Sequence, residues 1–156
     1  MKMNFECEKH QKLWYLLANE IAEAAKMNYQ GNGYYSGYSA VERLKRKLLT
    51  EYFDEEDRQL QNLCFACETA YEEQQNDWYE RDSINCDFCP LKWPDARKCD
   101  DNHSLYMKLI DCLEADDIDT ASDICVMIAN VKPYTAEEYD KEVGRLQPCY
   151  RYLKIC

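Results

Sequence analysis

Two cysteine pairs carry the most legible chemistry of this chain. Cys64-Phe-Ala-Cys67 and Cys86-Asp-Phe-Cys89 form C-x2-C-x18-C-x2-C, inside the roughly 15–20-residue spacing typical of thiolate zinc sites. Zn²⁺ takes four thiolates in a tetrahedron, and each C-x2-C supplies two of them from one tight turn. One structural zinc held by Cys64, Cys67, Cys86 and Cys89 is therefore expected. Four thiolates close the coordination sphere, so such an ion organises the chain and leaves no open position for a reacting water. Pro90 stiffens the second knuckle, and Phe65, Phe88 and Trp93 are placed to wall it from water. Cys99 and His103, spaced C-x3-H, stand in reserve as ligands. An Fe–S cluster uses the same four thiolates, and disulfides or free thiols remain alternatives. Cys7 and His10 with Cys99 and His103 have the composition of a second, Cys2His2 site. Cys112 and Cys125 lie on or beside apolar stripes and read as core residues. No role is assigned to Cys149 or Cys156.

Other chemistry is thinly represented. The two histidines, His10 and His103, lie in no nucleophile motif, and neither a phosphate-binding loop nor a dinucleotide fingerprint is present. Acid runs such as Asp54–Asp57 and Glu114–Asp119 read as solvated faces. The expectation is a chain that is not an enzyme. Two segments could bind. Tyr34, Tyr35 and Tyr38 alternate with Gly, Asn and Ser, the composition of adaptable recognition loops, or of a connector whose tyrosines pack onto helices. Arg43, Lys45, Arg46 and Lys47 make a basic segment, either a binding surface or the solvated face of an amphipathic helix.

These residues need elements to position them, and the periodicity is helical. Trp14, Leu17, Ile21 and Ala24 make one stripe over residues 8–27. Ser39 and Glu42 form a capping box that starts a helix with Val41, Leu44, Leu48 and Tyr52 inward. Leu60, Leu63, Cys67 and Ala70 continue a helical stripe to about Gln75. Helices follow near 103–115 and 120–131, with Ala121, Ile124 and Ile128 inward. A second capping box, Thr135 and Glu138, opens a helix whose stripe is Tyr139, Val143 and Leu146. Four glycines and four prolines are few for an all-β chain. The expected fold is all-α, about six helices with a zinc-organised irregular insert over residues 76–101. A loop of that length needs an organiser.

The chain has 156 residues and a net charge of −11. Residues 1–54 carry +1 and residues 55–156 carry −12, which suggests an N-terminal helical pair with the Tyr/Gly loop joined to an acidic zinc-binding region and packed as one domain. A polyanion disfavours direct nucleic-acid binding and anionic membranes. No stretch approaches the ~20 apolar residues of a membrane span. The N-terminus lacks a signal-peptide run, and reduced thiols suit the cytoplasm.

The run Cys64–Cys67, then Cys86-Asp-Phe-Cys89-Pro90-Leu91-Lys-Trp93, then Cys99, resembles small uncharacterised zinc-binding proteins encoded by phages and prophages. These carry C-x-x-C, a later C-x-x-C-P-L-x-W and a further Cys before a helical segment, here Ala121–Ala129. The resemblance covers residues 60–131 and implies the same four ligands, with Cys99 in reserve, but no known activity. It implies residence in the cytoplasm of an infected host bacterium. The functional expectation is an accessory protein that binds and inhibits a host defence protein with a basic surface or nucleic-acid channel, acting as a nucleic-acid mimic. The alternatives are a zinc-dependent nucleic-acid or nucleotide-binding module using the Tyr-rich loop and the basic helix, and a small-molecule-sequestering protein.

Overall fold

Apolar side chains three and four positions apart decide which helix faces meet. The computed structural model describes residues 5–26, 37–76, 86–96 and 98–142. Among them the chain forms six α-helices: α1 (Cys7–Lys26), α2 (Gly37–Tyr52), α3 (Phe65–Asn76), α4 (Leu105–Glu114), α5 (Ile118–Ala129) and α6 (136–142). The fold is all-α, and an isolated bridge pairs Leu91 with Pro133.

The helix α1 buries Leu13, Trp14, Leu17 and Ile21 against Ala121, Ile124, Cys125 and Ile128 of α5. Ala18 and Ala129 are also buried there. Three hydrogen bonds clasp the pair. His10 Nε2–H donates to the Ile128 carbonyl at 3.1 Å, Ser122 Oγ to the Ala18 carbonyl at 2.9 Å, and Tyr15 Oη to Asn130 Oδ1 at 2.8 Å. Ser104 caps α4, accepting from Met107 N–H at 3.1 Å. Asp117 caps α5, accepting from Thr120 N–H at 3.3 Å. Between them Asp116 takes a left-handed φ of 56°, which lets α5 fold back on α4.

Two helix starts differ from the sequence expectation. The helix α2 begins at Gly37, two residues before Ser39, because Gly37 packs on α4. A Cβ there would lie 2.7 Å from the Ile110 carbonyl oxygen, and the Gly37 N–H donates to Glu114 Oε1 at 3.1 Å. Tyr52, expected inward, is exposed, while Lys45 and Leu49 are buried. The segment before Cys64 is not a continuous helical stripe. It makes short 3-10 turns at Glu55–Gln59 and Gln61–Leu63, and Asn62 and Leu63 adopt φ of 52° and 53°. A left-handed leucine costs roughly 1–2 kcal/mol, and burial of the Leu63 side chain in the main core opposes that strain. Asp57 anchors the first turn to α1 through Lys9 at 3.1 Å.

The described part of the insert, 86–96 and 98–101, is irregular and is docked from the C-terminal side. Tyr134 N–H donates to the Pro90 carbonyl at 2.8 Å, and Lys92 N–H to the Lys132 carbonyl at 2.9 Å. Tyr139 Oη donates to the Phe88 carbonyl at 2.7 Å, and Ala70, Phe88 and Tyr139 form a small second core. The Thr135–Glu138 capping box is realised in both directions, at 3.2 and 3.1 Å, and Lys92 pairs with Glu138.

Gly37→Ala should therefore lower stability by about 1–3 kcal/mol through overpacking against α4. Denaturant midpoints check it, and an unchanged midpoint would show that the α2 start is not held against Ile110.

Candidate metal centre

Three segments deliver five cysteines to one region. Cys64 sits immediately before α3, its carbonyl accepting from Glu68 N–H at 3.0 Å, and Cys67 lies in the first turn. The first pair therefore straddles a helix start rather than lying mid-helix. Cys86 and Cys89 flank a 3-10 turn closed by Cys89 N–H to the Cys86 carbonyl at 3.1 Å. Cys99 lies in the turn before α4, its carbonyl accepting from the Ser104 hydroxyl.

Cys64, Cys67, Cys89 and Cys99 line one cavity of about 590 Å³, which Lys45 and His10 also face. Cys86 is outside its lining and instead shares a hydrogen bond with Cys99. The Cys67 sulfhydryl holds the Cys64 thiol well below the ordinary range, with Lys45 and His10 adding to the effect, while burial opposes it. Cys67 moves up, as the donor to Cys64 and by burial. Cys86 is lowered by its bond from Cys99, and Cys99 is raised by the same bond and by burial. Burial pushes Cys89 up to about 12, although the Leu91 backbone and the Trp93 indole favour its thiolate. Among the described residues, no group of three or more His, Cys, Asp or Glu side chains is drawn together closely enough to hold a metal ion as it stands.

Lys45 departs from the basic-face expectation. It is 4% exposed, with Nζ 4.4 Å from the Trp14 ring centre and 5.6 Å from that of Tyr106. Its neighbours do face outward. Arg46 pairs with Glu42 at 2.7 Å, Lys47 pairs with Glu20 at 3.1 Å, and Arg43 is exposed. Tyr38 is exposed at the cavity wall, its ring 6.1 Å from Tyr106 and its hydroxyl bonded to the Met107 sulfur at 3.0 Å. Tyr34 and Tyr35 lie outside the described residues.

Of the reserve ligands, Cys99 faces the cavity and His103 is exposed. Sequence reading gave His10 only a place in a second site, yet it is 2% exposed and lines this cavity. Its Nε2–H donates to Ile128, which fixes the tautomer and leaves Nδ1 a lone pair with no partner among the described residues. The signal was present: positions 10, 14, 17 and 21 share one helical stripe. Cys125 is core, as expected, and burial pushes its thiol up to about 12. Cys112 is half-buried.

Four sulfurs line the cavity together with Lys45, Arg46, Arg58 and Glu42, and thiolates select zinc or iron over oxygen-loving metals. Compared with protein-family models, curated proteins and solved structures, the chain matches none.

A thiol at about 12 carries roughly a thousandfold less thiolate than one near 9 at neutral pH. In metal-free protein, Cys89 and Cys125 should alkylate at least ~1000-fold more slowly than after unfolding. Site-resolved mass spectrometry of timed iodoacetamide labelling checks this, and equal rates before and after unfolding would refute the burial.

Proposed function

We propose that the chain is a non-enzymatic acidic binding module, its knuckle held by one structural zinc ion, which binds and inhibits a host defence protein by occupying a basic nucleic-acid channel. The observation that carries the binding half is the surface around the α4–α5 turn. Asp111, Glu114, Asp116, Asp117, Asp119 and Asp123 are all exposed there. Asp116 and Asp117 are fixed by the turn and the cap rather than carried on a tail. A rigid array of like charge steers a basic partner and resists wrong ones. Val126 and Met127, further along α5, are also exposed.

The zinc half rests on the four cavity thiols and on the phage-protein resemblance. Four thiolates with one Zn²⁺ sum to −2, so metal loading adds to the acidity. Among the described residues, no helix is long and apolar enough to cross a membrane. Direct nucleic-acid binding loses support from the basic segment, because Lys45 turns inward and Arg46 and Lys47 are ion-paired. A second reading, small-molecule sequestration, is favoured by the cavity itself, whose volume of about 590 Å³ lies in the range of ligand pockets. A thermal-shift screen with nucleotides tests it through ligand linkage.

Protein purified without chelators should contain about one zinc per chain by elemental analysis. Iron in its place would support a cluster instead, and neither metal would overturn the metal reading. Expression in bacteria carrying a nuclease-based defence should restore phage plating. Asp119→Lys with Asp123→Lys should reduce that rescue by about tenfold or more. Undiminished defence under expression of the parent chain refutes the inhibitor reading.

A further inference from the structure

We propose that the cavity between α1, α2 and α4 binds a nucleoside monophosphate, with Lys45 and Arg58 on the phosphate and Tyr38 against the base. This rests on the small-molecule reading and gives its ligand a charge, a shape and a place.

One face of α2 lies along the cavity. Tyr38, Val41, Glu42, Lys45 and Arg46 recur at helical spacing and all line it. Arg58 reaches the same space from the 3-10 turn after α2, steadied by its donation to the Thr50 carbonyl at 3.1 Å. Among the described residues the lining holds three cations, Lys45, Arg46 and Arg58, against the carboxylate of Glu42. Arg46 pairs with that carboxylate at 2.7 Å. Lys45 and Arg58 are the positive charges left for a ligand. In a chain of net charge −11 this is a local reversal of sign. Screening over about 8–10 Å lets a small anion respond to it, while the acidic exterior repels a long polyanion.

Lys45 sets the class of ligand. Its side chain is buried, with Nζ 4.4 Å from the Trp14 ring centre and 5.6 Å from that of Tyr106. Among the described residues it meets no carboxylate. A buried ammonium needs an anion to offset its lost hydration. A phosphate monoester accepts from an ammonium and a guanidinium together. The remaining walls suit a nucleoside. Tyr38 is exposed at the cavity wall, and its hydroxyl is tied to the Met107 sulfur at 3.0 Å. That fixes an aromatic face on which a base can stack. His10 also lines the cavity, and its Nδ1, with no partner among the described residues, offers an acceptor to a ribose hydroxyl or a base N–H. The volume of about 590 Å³ is that of a small-molecule site.

Calorimetric titration of the full chain, purified without chelators, tests this with AMP, GMP, CMP and UMP. At least one should bind one to one. The matching nucleoside and ribose 5-phosphate should each bind at least about tenfold more weakly. Lys45→Met should weaken binding by about 10–100-fold. Arg58→Gln and Tyr38→Ala change exposed side chains, so they test the site without disturbing the core, and each should cost about 5–10-fold. Affinity unchanged in both Lys45→Met and Arg58→Gln overturns the phosphate site. A nucleoside that binds as tightly as its monophosphate overturns the role of charge. Absence of binding by all four monophosphates overturns the inference. The small-molecule reading then survives if a broader thermal-shift screen finds another ligand, and fails with it if none is found.

Discussion

Residues more than a hundred positions apart meet where α1 lies on α5, and the rest of the structure depends on that contact. All three of its hydrogen bonds span such separations. Closing a loop of that length costs on the order of 4 kcal/mol in chain entropy. Burying Leu13, Trp14, Leu17 and Ile21 contributes roughly 1.5–3 kcal/mol per large side chain, so the clasp is favourable by packing alone. The hydrogen bonds then set its register. Once α1 is fixed, α2 is caught between α1 and α4, and Lys9 holds the turn at Asp57 in place.

That closure brings the two charge regimes of the sequence into one core. The near-neutral first third supplies His10, Trp14 and Lys45 to one side of the cavity. The acidic remainder supplies the sulfurs. Charge asymmetry along the chain therefore does not divide the fold into separate bodies. It becomes an arrangement in depth, with a cation inside beside thiols and carboxylates outside on the α4–α5 turn.

Much of this was legible from spacing. The stripes of α1 and α5 and the Thr135–Glu138 box follow from local periodicity and short-range geometry. The parts that were not legible depend on tertiary contacts. Nothing local says that Leu63 will take a left-handed φ, since leucine disfavours it and only its place in the core holds it there. Ser39 has the chemistry of a helix cap, but Gly37 fits against Ile110 and the helix starts there instead. Cys86 and Cys99 look alike as donors in sequence, and only the path of the insert distinguishes the one facing the cavity.

Lys45 shows how small a rotation separates a surface from a core. Val41, Leu44, Leu48 and Tyr52 form one acceptable stripe, and Val41, Lys45, Leu48 and Leu49 form another about a residue away. The second is the buried one, because packing of Gly37 on α4 orients the helix. A lysine on a buried stripe needs compensation. Its contacts with Trp14 and Tyr106 are worth about 2 kcal/mol when desolvated. Removing an ammonium from water still costs several kcal/mol after relaxation, so aromatic faces alone do not hold it. Thiolate character on Cys64, which the Cys67 sulfhydryl favours most and Lys45 favours further while burial opposes it, lowers that deficit.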